Sequence, residues 1–320
     1  MFIHNKILKK HKNKITTNIY HKMINYMKNK AYIALFISVL SVSFAAIFIV
    51  TISDFVHPLT ISFYRLFFTA VLLLPFVFLH KKTRQDLFNI SKKNLIIIAG
   101  IGIILALHFA FWVTSLDYTS VASSVLLVTA HPVLVAPVAH FLFKEHLSFS
   151  NIFGIVISLF GVAILVAGNY GLGPMTLEGN ILAILGGIAA GLYILGGRRI
   201  RKNISIGAYA FLVYFIAAII LFFLCLIFSA DLINLPKRDY FIIFIMAIIS
   251  GIFGHTFYNW SLKYIRASTA SVALLGEPLG SSILAIIIPW IQQIPSNFTI
   301  FGGAIILFGI YFTARTKKNQ

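Results

Sequence analysis

Long apolar runs, each of roughly 20 residues with few or no charges, recur along the whole chain. Runs of that length cross the hydrocarbon of a bilayer as helices, because only a helix satisfies its own backbone there. The 320 residues are 59% hydrophobic and 11% charged, against roughly 25% charged in a soluble domain. One soluble core does not bury that much apolar surface. The expected fold class is an all-α integral membrane protein.

Breaking the chain at charged or turn-forming loops gives ten expected spans. The first five are Ala31–Thr51, Leu59–Leu79, Leu95–Ser115, Thr119–Leu142 and Ile152–Ala167. The second five are Leu177–Gly197, Ile206–Phe228, Tyr240–Leu262, Ala267–Trp290 and Phe298–Ala314. The fifth and tenth are short for a bilayer about 30 Å thick at 1.5 Å per residue. The basic segment up to Lys30 followed by Ala31 resembles a secretory leader. Its apolar block is too long for one and no small-residue cleavage pattern follows, so it reads as an uncleaved first span.

A net charge of +18 suggests nucleic acid until its distribution is considered. Of 26 basic residues, 23 fall in the N-terminal segment and in alternate loops: Lys81–Lys93, Lys144, Arg198–Lys202, Lys263–Arg266 and Arg315–Lys318. The other loops hold only Lys237 and Arg238, and Arg65 lies within the second span. This asymmetry places both termini in the cytoplasm and requires an even number of spans. It implies a multi-pass protein of the cytoplasmic membrane, with no nucleic-acid partner.

The chain also repeats itself. LDYTSVASSVLLVTAHP (116–132) aligns without a gap on LKYIRASTASVALLGEP (262–278). His108 and Trp112 have near counterparts in His255 and Trp260, and Gly154 and Gly161 match Gly302 and Gly309. Residues 31–168 and 177–314 are therefore two five-span repeats, between a basic tail (1–30) and a short tail (315–320). Five is odd, so the halves cross in opposite senses. Such inverted-topology repeats suit alternating access around a site near the midplane.

These residues carry a likeness. The chain resembles the EamA family of the drug/metabolite transporter superfamily over Ala31–Ala314. The shared features are the ten-span layout, Arg65 after Pro58, YTSVAS running into His131–Pro132, Phe143–Lys144–Glu145, and Glu277–Pro278. The resemblance implies a secondary transporter, often an exporter of amino acids or other metabolites, rather than an enzyme. Gln292 and Gln293 stand at the end of span nine, where the first repeat has Glu145 after span four.

Glu277 is the sharpest site candidate, since a carboxylate at mid-span is expensive unless paired, protonated or facing water. It is either a substrate or proton site, or a structural carboxylate capped by a neighbour. Pro278, and Pro132 in the first repeat, are expected helix breaks, since each removes a backbone donor, and Gly276 and Gly280 allow another helix close by. His131, before Pro132, is its repeat partner and can bind substrate or titrate; a buried histidine is also often simply hydrogen-bonded. His108 and Trp112 share one face of span three, and His255, Tyr258 and Asn259 one face of span eight. They supply aromatic walls and polar hooks for a small molecule, or plain packing. Arg65 can clamp an anion, pair with Glu277, or snorkel outward. Tyr64, Tyr193 and Tyr214 are further candidates along the path.

The partners expected are a small-molecule substrate, the lipid bilayer, and a proton or an exchanged metabolite; a homodimer is compatible with this layout. No cofactor or metal site is expected. There is no P-loop, no H-E-x-x-H and one cysteine, Cys225, inside an apolar run. An intramembrane enzyme would need its acids and histidines at one membrane face, whereas here they lie at mid-depth. A non-transporting scaffold would explain neither Glu277 nor the repeat.

Overall fold

A computed structural model describes residues 26–144, 148–168, 174–201 and 203–314. Among these residues the protein is all-helical, with no strand. The long helices of the first half are α1 (Tyr26–Thr51), α2 (Pro58–Leu79), α3 (Lys92–Tyr118), α4 (Val121–Phe143) and α5 (Phe149–Gly168). Those of the second half are α6 (Pro174–Ile200), α7 (Ile206–Ile227), α8 (Lys237–Ser261), α9 (Ala267–Ile287) and α10 (Asn297–Ala314). A short polar helix, Lys81–Phe88, connects α2 to α3.

Among the described residues, eight of these helices are counted as long and apolar enough to cross a membrane. The other two, α5 and α10, are helices of 20 and 18 residues with no charged side chain. The first helix is already formed at Tyr26, more than a turn ahead of Ala31. Glu145, Lys202, Arg315–Lys318 and most of the basic N-terminal segment lie outside the described residues.

The surface is apolar and the interior carries the polar groups. Phe36, Ile96, Phe223, Leu226 and Phe301 are exposed, while Ser38, Arg65, His108, His131, Asn180, Asn259 and Ser271 are buried. Lipid solvates the outer side chains, so helix association depends on close packing and interhelical hydrogen bonds. Glycine supplies the close approaches. A Cβ on Gly161 would lie 2.8 Å from the Gly302 carbonyl oxygen, and one on Gly309 would lie 2.6 Å from that of Gly154. Since 154 faces 309 and 161 faces 302, α5 and α10 pack antiparallel. Gly276 and Gly280 of α9 press likewise on Val39 and Ser43 of α1.

Among the described residues α1 is interrupted at a single residue, Phe44, and α4, α8 and α9 depart from regular α geometry at mid-span. In α4 the segments Val121–Val128 and Pro132–Phe143 are separated by a turn. Pro132 has no N–H to continue the ladder, and the Thr129 hydroxyl donates to the Val125 carbonyl at 2.6 Å. In α9 the break falls between Ala273 and Gly276, just ahead of Glu277–Pro278. In α8 residues Ala247–Thr256 form a π-helix, a rare form that is frequent at functional sites. Gln293, expected as a mere departure from Glu145, has a structural task. Its Oε1 accepts the Val121 N–H at 3.0 Å, capping α4 from the α9–α10 connection.

Candidate functional site

The two breaks and the end of the π segment meet at one cavity of about 50 Å³, room for a few water molecules. Seven helices line it. Ser38, Val42 and Ala45 come from α1, Arg65 from α2, His108 and Trp112 from α3. Val128, Thr129 and His131 come from α4, Ala190, Tyr193 and Ile194 from α6, His255 and Tyr258 from α8, and Leu274 and Glu277 from α9. Of the eight candidate residues read from the sequence, seven therefore converge on one cavity.

Asn259 is the exception. On a helix it lies about 40° to one side of His255, while Tyr258 lies about 60° to the other. The cavity takes the Tyr258 side. Asn259 is buried one layer back, where its amide donates to the Tyr193 hydroxyl and, at 2.7 Å, to the His255 carbonyl. It holds the wall rather than forming it.

The histidines are fixed by their neighbours. A carbonyl only accepts, so His108 carries its proton on Nδ1 and donates to the Gly186 carbonyl at 3.0 Å. Its ring stacks on Trp112 at 5.9 Å with 10° between planes, and stands 6.4 Å from the His255 ring. His131 Nδ1 meets the Ser271 hydroxyl at 2.8 Å, a bond from α4 to α9 and so between the two repeats. His255 makes ring contacts with Phe109 and Tyr193.

Arg65 neither snorkels outward nor pairs with Glu277. It is fully buried, with its guanidinium 4.4 Å from the Phe109 ring centre and 5.6 Å from that of Trp112. Its Nε, Nη1 and Nη2 have no hydrogen-bond partner among the described residues. The indole N–H of Trp112 and the hydroxyl of Tyr258 are buried and unpartnered as well. Glu277 is partly buried, half a helix turn past the break in α9.

Tyr193 lines the cavity, but Tyr64 and Tyr214 do not. Tyr64, next to Arg65 on α2, turns instead to the α7–α8 loop, donating to the Leu232 carbonyl at 2.6 Å and standing edge-on to Tyr240. Tyr214 meets the Thr256 hydroxyl at 3.2 Å. Trp260, the repeat counterpart of Trp112, packs on Tyr264 instead of entering the cavity. Ser38, Thr129 and the supporting Ser271 went unread in the sequence, because small hydroxyl residues in apolar runs commonly satisfy themselves on their own helix. Their only signal is position: Thr129 precedes His131 by two residues, and Ser271 precedes Glu277 by six. Among the described residues no three His, Cys, Asp or Glu come together as a metal site.

Comparison with known proteins gives a consistent outcome. The model of the EamA-like transporter family matches twice, over residues 29–167 and 177–315. An uncharacterized transporter of Archaeoglobus fulgidus is 24% identical over 303 residues, 92% of this chain and all of that protein. The uncharacterized transporters YdfC and YyaM of Bacillus subtilis are 26% and 24% identical, over 80% and 75% of this chain and 81% and 79% of their own. One solved crystal structure superposes with a TM-score of 0.61 at 17% identity, covering 89% of this chain and 97% of its own, which shows a shared fold.

Proposed function

The chain belongs to the EamA-like transporter family, and from that premise we propose that it is a secondary active transporter moving a small metabolite across the cytoplasmic membrane by alternating access. The observation that carries this is the convergence of Arg65, His108, His131, His255 and Glu277 on one narrow cavity at mid-span, between the two repeats. Ionisable side chains at that depth are expensive and mark a substrate or ion path. The cavity is too small for a metabolite as it stands, so binding requires the walls to part. The breaks in α4 and α9 supply two places where a helix half can tilt without unmaking a regular ladder.

The opposite crossing of the two repeats is part of this reading. Its support is the antiparallel pairing of α5 with α10, the last helix of each repeat, through the matched glycines. The charge asymmetry supports ten crossings with both termini in the cytoplasm. In this scheme Glu277 and His131 bind substrate or exchange a proton with it, and a proton or a counter-moved metabolite supplies the drive. Export of an amino acid or similar metabolite is the direction the family resemblance implies.

The test is flux in proteoliposomes, with a metabolite chosen because it stabilises the purified protein. Glu277→Gln is expected to abolish flux or its pH dependence. Full flux in that variant, with rate and pH dependence both unchanged from the wild type, contradicts the role of Glu277.

A further inference from the structure

We propose that the cavity takes an organic carboxylate, received by Arg65. The inference rests on the cavity being the substrate site and adds the chemistry of what enters it. Arg65 has five N–H donors and no acceptor of its own. It is fully buried, lines the cavity, and none of its three nitrogens meets a hydrogen-bond partner among the described residues. The faces of Phe109 and Trp112 hold the guanidinium plane through cation–π contact, at 4.4 and 5.6 Å, but supply no acceptor along its edge. A buried polar group left in that condition calls for a partner, from a ligand or from water.

The surplus around it has the same sign. Trp112 Nε1 is a donor only, and the Tyr258 hydroxyl is an available donor; both are buried, unpartnered and at the same cavity. What is missing is an acceptor, and the planar fork of a guanidinium matches the two oxygens of a carboxylate. A phosphate dianion fits less well. Glu277 stands in the same cavity, and among the described residues no lysine lines it and Arg65 is its one permanent cation. The remaining walls, Val42, Ala45, Val128, Ile194 and Leu274, are apolar and suit the carbon body of the ligand.

The experiment measures the unfolding midpoint of the full chain in detergent against rising acetate and benzoate. The neutral isosteres acetamide and benzamide, and sodium chloride at matched ionic strength, serve as controls. The carboxylates are expected to raise the midpoint saturably and the controls to leave it unmoved. Arg65→Gln removes an unmet buried charge, so without ligand its midpoint should equal or exceed the wild type. Its apparent Kd for benzoate should rise roughly tenfold or more. Arg65→Lys, which keeps the charge and loses the fork, should fall between the two and serves if the glutamine variant does not fold. Protection by the amides or by chloride equal to that by the carboxylates overturns the proposal, as does unchanged benzoate protection in both variants. Carboxylate protection without flux in proteoliposomes supports the site and removes the transport reading. Glu277-dependent flux of a neutral or cationic metabolite, with no carboxylate protection, leaves transport standing and removes this inference.

Discussion

Tyr193 and Asn259 meet through a hydrogen bond between α6 and α8, and only Tyr193 reaches the cavity. Tyr193→Phe keeps the ring and deletes that bond, so it should lower stability by about 1 kcal/mol. Chemical or thermal unfolding checks the value, and a loss near zero would mean the pair contributes little. The sequence made Glu277, His131 and Arg65 legible because ionisable groups in an apolar run have few inexpensive explanations. It left Tyr193 as one tyrosine among several, since an aromatic hydroxyl in a membrane helix is as much at home at an interface as in a core. The three outcomes held open for Arg65 show the limit of that reading. Periodicity says which face a side chain occupies, but the rings of Phe109 and Trp112 that hold the guanidinium come from another helix.

At the scale of elements, α5 and α10 owe their contact to glycine. A Cβ on Gly161 would lie 2.7 Å from the Ile306 amide nitrogen and 2.8 Å from the Gly302 carbonyl oxygen, both backbone atoms unable to move aside cheaply. Gly161→Leu should therefore destabilise the protein by at least about 1–3 kcal/mol, read as a lower unfolding midpoint. Gly100, inside α3, has nothing within 4 Å of its added Cβ. Gly100→Ala should be neutral or stabilise by up to about 1 kcal/mol, and equal losses in the two variants would refute the packing account. The α7–α8 loop offers a pH test. The Asp231 carboxylate accepts from the Ile233 and Asn234 amides and the Asn234 side chain, which holds its pKa below the ordinary aspartate value of 3.8. Its contribution is therefore present above that value and lost as pH falls below it. Protection of the Ile233 and Asn234 amides, measured against their intrinsic exchange at each pH, should fall on acidification through that range and stay unchanged in Asp231→Asn. The sequence located the proline-marked breaks in α4 and α9, since each proline removes a backbone donor. It did not reveal the π segment of α8, whose sequence AIISGIFGHT carries no proline and reads as ordinary helix.

For the whole molecule, apolar run length made the helical membrane architecture legible, and the gapless repeat brought His131 and Glu277 to corresponding places. The candidates marked α2, α3, α4, α8 and α9, whereas the shares of α1 and α6 in the cavity were not legible; they depend on close approaches such as Gly280 on Ser43, set between distant parts of the chain. Orientation is open to direct measurement, since Cys225 is the single cysteine and is buried. In a Cys225→Ala background, Lys82→Cys should react with an impermeant maleimide only from the cytoplasmic side and Lys237→Cys only from the other. The central claim is that one mid-span cavity opens to each side in turn, and Ser38 is the residue on which to test it. It lines the cavity, is fully buried, and its hydroxyl has no partner among the described residues, so Ser38→Cys alters little. Reactivity of that cysteine is to be measured in right-side-out and in inverted vesicles. The account predicts labelling in both orientations and protection by a transported metabolite in both; labelling from one side alone, or from neither, would contradict it.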